Sequence, residues 1–504
     1  MKSSYSQTDV SVDTLVNRAS VNSSLGNFEA AKDDLLAAID LLREKGDRLS
    51  LGNALRDLGD LENRLDHITS ALSYYREAVA EFSAINEQLP LTRTLQALGD
   101  VECRLDDLPS ATQHYSQAVD GFLMLGDKIG LANAIQSLGD VDSRMDNLDS
   151  AELRYSKAIA IFRENADAIG VANVSFSLGN LYIRQGRISD ARTYIQVAMA
   201  AYRSLGDNLG LANALTALAD ISIRLQNLEE AQAYYDEAIE LYNLIGDRLG
   251  LANAMSSRAR LLTRQLKLKE ALTLYEEAAR IYESIGARLG LANALLGQGN
   301  LLVRSDDFAG ESLLRQAIGI YYEIGDRLGI ANAMHSLGTH LQRQGRYEEA
   351  ITCFQETVDK YSDIGNRVGF ANALHSLAML FAREGIQLDR AVKYLQQAVE
   401  VYKEVQDRVG QGHTLLSLGG TLAKLGDYNS GINACEEAAH IFEQLRLRRV
   451  LPQTYLMLAQ MCIDANRVRE ARTYIERADS TVMERGADGG RIRNFLARLR
   501  QRIE

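Results

Sequence analysis

The stretch GDRLGLANAM, Gly246 to Met255, returns along the chain with few changes. It reads GDRLSLGNALRDLGD from Gly46, GDKIGLANAIQSLGD from Gly126 and GDNLGLANALTALAD from Gly206. It reads GARLGLANALLGQGN from Gly286 and GDRLGIANAMHSLG from Gly325. Leu58, Leu98, Leu138, Leu178 and Leu218 set a period of about 40 residues. One residue is lost near Phe308–Gly310 and one gained in Gly385–Ala391. A period of this length marks stacked supersecondary units, each too small to bury its own apolar face. About twelve units fit, the first partial (about 8–46) and the last ending near Ala478.

Each unit reads as two helices. Asp47, Asp127, Asp207, Asp247 and Asp326 stand at the N-cap position, where a carboxylate accepts first-turn amides. The glycine before each suits the left-handed end of the preceding helix. The first helix, A, runs about 18 residues, and in the first full unit Leu49, Leu55, Leu58, Leu61 and Leu65 form its apolar side. The second helix, B, carries alanines at fixed spacing, such as Ala71 and Ala78 or Ala231 and Ala238, beside Tyr75, Tyr115, Tyr155 and Tyr235. Small residues let the helices approach and the rings fill the space beside them.

This spacing, with Leu178, Gly179, Tyr182, Ala191, Ile195 and Ala198 as one example, resembles the tetratricopeptide repeat. That repeat is usually about 34 residues long. The longer unit here adds the Gly-Asp-x-Leu-Gly segment. The resulting Leu-Gly and Asn signature looks like the Leu-Gly-Asn repeats of cell-polarity adaptors of the Pins type. Similar long repeats serve as sensor arrays in large signalling proteins. The resemblance covers roughly residues 8–480. It implies an all-α, right-handed α-solenoid of about twelve tetratricopeptide-like helical hairpins, with protein or peptide partners. The C-terminal G-protein-binding motifs of the polarity adaptors have no counterpart here, so that function is not carried over. The expected organisation is a capping partial repeat over 1–46, the array over 47–480, and a basic amphipathic capping helix over 481–504. The last is RIRNFLARLRQRIE, with Ile492, Phe495, Leu496, Leu499 and Ile503 on one side.

Composition agrees with helices throughout: three prolines in 504 residues, with 46% hydrophobic and 24% charged residues. The net charge is −12, which disfavours nucleic acid and anionic membranes as general partners. The charge is uneven, since residues 441–504 carry 13 Lys+Arg against 8 Asp+Glu. Cys103, Cys353, Cys435 and Cys462 are scattered, with no CxxC pair, which reads as a reducing compartment. With no apolar segment of signal-peptide or membrane-span type, a cytoplasmic location is expected.

In such arrays the A helices line the concave side. Asn53, Arg56, Asp60 and Arg64, at offsets of 0, 3, 7 and 11, share one polar stripe opposite the leucines. Asparagine recurs there as Asn53, Asn133, Asn173, Asn213, Asn253, Asn293, Asn332 and Asn372. Asparagine disfavours helix interiors, so its repetition needs a reason. One reading is that each amide grips the backbone of an extended peptide. The other is that each bonds a neighbouring helix.

A second ladder is basic: Arg64, Arg104, Arg144, Arg184, Arg224, Arg264, Arg304, Arg343 and Arg383, then Lys424. Asp60, Asp100, Asp140 and Asp220 lie one helical turn before four of these arginines, an order that suits a helical salt bridge. From Arg264 onward the matching positions are Arg260, Asn300, Thr339, Met379 and Gly420. Arg260, Arg264, Arg304, Arg343, Arg383 and Lys424 then form an electropositive track suited to carboxylates or phosphates. His335, His375 and His413 add polar lining on the same stripe. A shared metal is disfavoured, because neighbouring helices lie about 8–10 Å apart and zinc needs ligands at about 2 Å. Phe176, Leu296 and Leu416 offer apolar pockets or ordinary packing.

No Walker loop, GxSxG, HExxH or dinucleotide fingerprint is present. The expectation is a non-enzymatic scaffold or adaptor, without cofactor or metal, that holds an extended acidic protein segment across residues 260–425. A sensor or regulatory array that binds a small acidic ligand or peptide in the same groove and changes its pitch is the alternative. An enzyme using groove His and Arg residues is the more distant one.

Overall fold

A computed structural model of the chain describes residues 11–303, 309–483 and 490–502. Among these residues there are helices and turns but no strand. No helix is long and apolar enough to cross a membrane. The helices are α1 (Val12–Ser24), α2 (Phe28–Lys45), α3 (Arg48–Arg64), α4 (Ile68–Ala84), α5 (Gln88–Arg104), α6 (Leu108–Leu125), α7 (Lys128–Arg144) and α8 (Leu148–Glu164). They continue as α9 (Ala168–Arg184), α10 (Ile188–Leu205), α11 (Asn208–Arg224), α12 (Leu228–Ile245), α13 (Arg248–Arg264), α14 (Leu268–Ser284), α15 (Arg288–Val303) and α16 (Ala309–Ile324). The last are α17 (Arg327–Arg343), α18 (Tyr347–Asp363), α19 (Arg367–Glu384), α20 (Leu388–Glu404), α21 (Arg408–Lys424), α22 (Tyr428–Gln444), α23 (Leu451–Asp464), α24 (Val468–Met483) and α25 (Gly490–Gln501). Odd-numbered helices through α23 are A helices, and each pairs with the B helix that follows.

The caps read from the sequence form. Asp127, Asp207 and Asp326 accept the amides of Gly130, Gly210 and Gly329, each at 2.9 Å. The preceding Gly126, Gly206 and Gly325 are left-handed, with φ of 70°, 72° and 73°. Pro90, Pro109 and Pro452 all fall in the first turn of a helix, where a missing N–H breaks no helical bond.

Packing explains the glycines inside helix A. A Cβ on Gly210 would lie 2.6 Å from the ring of Tyr202, and one on Gly139 would lie 2.8 Å from Tyr155. Such an A helix is pressed against an aromatic ring of the B helix before it and another of the B helix after it. Ala71, Ala78, Ala231 and Ala238 are fully buried, as their spacing implied. Leu49 is not part of the apolar side. It is 41% exposed, because the second residue of the helix faces outward at the turn.

Contacts divide the chain into two compact units, Met1–Gly250 and Leu251–Glu504. Within the first, A helices α3, α5, α7, α9 and α11 touch in succession; within the second, α15, α17, α19, α21 and α23 do so. Successive B helices make no comparable contact among the described residues. The A row is therefore the tighter, inner side of each unit. At the end, α25 packs on α23 and α24 through buried Leu496 and Leu499, while Phe495 is 39% exposed. Arg500 and Arg502 tie it to Asp479 and Asp464 at 2.7 and 2.9 Å. The side chains of Ile492 and Ile503 lie outside the described residues.

Candidate functional site

The polar stripe lies on the inner face, and in six repeats the asparagines do more than line it. Tyr202, Tyr242, Tyr282, Tyr321, Tyr361 and Tyr402, near the ends of the B helices, donate their hydroxyls to Oδ1 of Asn173, Asn213, Asn253, Asn293, Asn332 and Asn372 at 2.6–2.8 Å. These asparagines remain exposed, with the amide Nδ2 as their remaining donor. Asn53 and Asn133 hold the same position, but Phe82 and Phe162 stand at the tyrosine's place and offer no hydroxyl. Of the two readings of the ladder, the bond to a neighbouring helix forms in these six repeats: the oxygen is bound within the hairpin, and the side chain stays exposed. The signal in the sequence was a tyrosine recurring near the end of the same hairpin, as Tyr202 does after Asn173.

The aspartates of the stripe do not pair with the arginine one turn on. Asp60, Asp100, Asp140 and Asp220 instead accept the hydroxyls of Tyr75, Tyr115, Tyr155 and Tyr235 at 2.5–2.6 Å. The ring must sit against the small residue that follows the leucine, and the carboxylate is the acceptor within its reach. Burial pushes the carboxyls of Asp60 and Asp100 up, and that of Asp140 to about 6, with the charge of Asp100 adding to the last.

The arginines reach back one repeat. Arg144 donates to the carbonyl of Cys103 at 2.6 Å and to Asp106 at 2.8 Å. Arg184 does the same to Ser143 and Asp146, at 2.5 and 3.0 Å, and Arg104 to Asn63 and Asp66. Each therefore caps the free carbonyls at the end of the previous A helix. The aspartates of these clamps are themselves left-handed turn residues, with φ of 65°, 62° and 64° at Asp66, Asp106 and Asp146. Arg64 bonds Ser23 at 3.1 Å and lies over Phe28.

From Gly186 onward the turn aspartate is replaced, by Gly186 before Arg224 and Gln226 before Arg264. Gly345 and Gly385 occupy its place before Arg383 and Lys424. Arg260 donates to Ser257 at 2.8 Å. Among the described residues Arg260, Arg264 and Arg343 form no ion pair, and Arg383 has a 3.9 Å contact with Glu384 and lies over the ring of Tyr347 at 5.7 Å. Lys424 keeps half of the clamp, donating to the carbonyl of Ala382 at 2.6 Å. Arg304 lies outside the described residues.

His335 (α17) bonds Ser376 (α19) at 3.0 Å, and His375 (α19) bonds Ser417 (α21) at 2.9 Å. These contacts stitch neighbouring A helices together. His413 stands at the asparagine position instead, exposed and tilted against Phe442 at 5.1 Å. Burial lowers the His335 pKa, and burial with the nearby His413 lowers that of His375 to about 4, so both are neutral bases at pH 7. A histidine beside a serine can activate a hydroxyl. Here the serines sit inside helices whose amides are engaged in the i→i−4 ladder, so those amides are not free to hold an oxyanion. Phe176, Leu296 and Leu416 are half-buried between helices.

The sequence reading missed the buried acids on the other side of the early A helices. Glu62 meets Lys32 and His67 at 2.7 and 2.8 Å, Glu102 meets His114 at 2.6 Å, and Asp142 meets Arg154 at 2.5 Å. Their partners stand at varied places along the chain, so no repeated pattern marks them.

Stacked two-helix units with a polar inner face define a helical-repeat protein. The tetratricopeptide repeat profile matches residues 11–80, 91–164, 168–244, 210–284, 287–363 and 329–404, and the chain belongs to that family. No curated protein matches the sequence. Among solved structures it is similar to BtubC from P. vanneervenii, at 20% identity over 43% of this chain and 92% of the other, with a TM-score of 0.40. It is similar to the STAND protein with a tetratricopeptide repeat sensor from Pyrococcus horikoshii, at 18% identity over 66% of this chain, with a TM-score of 0.49. That match covers 53% of the Pyrococcus chain. The apo quorum sensor NprR from B. thuringiensis aligns at 15% identity over 68% and 99% of the two chains, with a TM-score of 0.48.

Proposed function

We propose that the array is a protein-interaction scaffold whose inner face across residues 260–425 holds an extended, acidic segment of a partner. The observation that carries this is the set of guanidiniums at Arg260, Arg264 and Arg343, which face no carboxylate among the described residues, with Arg383 nearly so. Charge on the whole chain is also uneven: residues 1–250 hold 22 Lys+Arg against 37 Asp+Glu, and residues 251–504 hold 33 against 30. Asn253, Asn293, Asn332 and Asn372 supply Nδ2 donors for a peptide backbone, as Asn133, Asn173 and Asn213 do in the first unit. His335, His375 and His413 add neutral polar contacts. The long Leu-Gly-Asn period supports an adaptor role like that of the Pins-type repeats. The first hairpin and α25 act as caps, and four free cysteines suit a cytoplasmic setting.

The test is anisotropy of a fluorescein-labelled short peptide rich in glutamate, titrated with the full chain. Arg343→Glu with Arg383→Glu should weaken binding at least about tenfold, the scale of one charge-assisted hydrogen bond. Arg64→Glu with Arg104→Glu should change it far less, and rising salt should weaken it. Equal losses at the two pairs, or binding insensitive to salt, would overturn the proposal. Full competition by a free dicarboxylate would point to a small-ligand sensor instead.

A further inference from the structure

The period places the start of helix A of the last hairpin at Arg448, yet α23 begins at Leu451. The Gly-Asp cap is missing there, and Val450, at the N-cap position, supplies no side-chain bond. A cavity of about 210 Å³ lies between α22, α23 and α24.

Its walls carry both charges. Tyr455 and Tyr474 stack at 6.4 Å with 16° between their planes. Their hydroxyls donate to Glu443 and Glu436, which fixes both carboxylates at the cavity. Arg477 lines the same space, close enough to oppose the rise that burial imposes on both tyrosine pKa values. His440 also lines it, held by Gln444 at 2.8 Å, and Ala439 gives it an apolar side.

A simple cation would meet Arg477, and a simple anion would meet two glutamates. A ligand with both charges satisfies all three: its ammonium faces the carboxylates and the tyrosine rings, and its carboxylate faces Arg477. We infer that this cavity binds a small zwitterion, a free α-amino acid with a short aliphatic side chain resting on Ala439. The site is separate from the inner face and from the peptide reading above.

The test is calorimetric titration of the full chain with L-alanine and L-leucine, with n-propylamine and propionate as single-charge probes. One of the amino acids should bind, and both single-charge probes should bind at least about tenfold more weakly. Glu436→Gln and Arg477→Gln should each weaken amino-acid binding by at least about tenfold. Ala439→Leu fills the space without changing charge and should abolish it, with the helical circular dichroism signal unchanged in all three variants. The inference is overturned if neither amino acid binds, if a single-charge probe binds as well, or if Ala439→Leu binds normally. None of these results bears on the glutamate-rich peptide, which is read by a different probe and different arginines.

Discussion

Arg144 closes on Asp106 at 2.8 Å, and ties the end of one A helix to the turn after the previous one. Both side chains are largely exposed, at 45% and 80%, so the ion pair alone contributes about 0–1 kcal/mol. The hydrogen bond to the Cys103 carbonyl adds about 1 kcal/mol. Arg144→Ala should therefore lower urea-unfolding stability by about 1 kcal/mol. Arg224→Ala should do less, because Gly186 stands where Asp106 does in the earlier repeat. A double-mutant cycle with Asp106→Asn showing no coupling would mean that the clamp has no energetic content.

The asparagines should divide according to their aromatic partner. Asn253→Ala leaves the Tyr282 hydroxyl without its acceptor and should cost about 1–2 kcal/mol despite the better helix propensity of alanine. Asn133→Ala has Phe162 at the tyrosine's place and should be neutral or stabilising. Thermal unfolding of the two variants distinguishes them, and equal shifts would show that the hydroxyl bond is not the reason for the ladder.

Glycines should also separate by their surroundings. Gly290→Ala drives a Cβ into the Tyr282 ring and should destabilise by about 1–3 kcal/mol. Gly319 has nothing within 4 Å of its Cβ position, so Gly319→Ala should stabilise by about 0.5–1 kcal/mol. Chemical denaturation of both variants measures the contrast.

The two units should respond to acid in opposite directions. The folded-state pKa of Asp140 is raised from 3.8 to about 6, so the folded state binds the proton more tightly than the unfolded chain. Its contribution to stability falls as pH rises from about 4 to 6, and Asp140→Asn should stabilise the protein at pH 7. The His375 pKa is lowered from 6.5 to about 4, so its contribution is lost as pH falls through that window. Limited proteolysis at pH 7 and pH 5 should show cleavage moving toward residues 251–504 at the lower pH. An unchanged pattern would contradict this balance.

The sequence by itself determined the hairpins, because their signals are local. A cap such as Asp127 and its amide at Gly130 lie within one turn, and a left-handed end such as Gly126 needs only its own φ. The long period supplied the stacking, since every unit repeats the same apolar face. The partners of the polar groups were decided only in three dimensions. Asp140 has Arg144 one turn away on its own helix, and sequence favours that pair. The ring of Tyr155, packed against Gly139, brings its hydroxyl to Asp140 first, and Arg144 is drawn to the open carbonyls of the neighbouring helix end. The charge contrast between the early and late arginines was legible, but through the wrong aspartates. The acids that decide it, Asp66, Asp106 and Asp146, sit in turns a whole hairpin before their partners, a separation closed only by the stacking of one hairpin on the next.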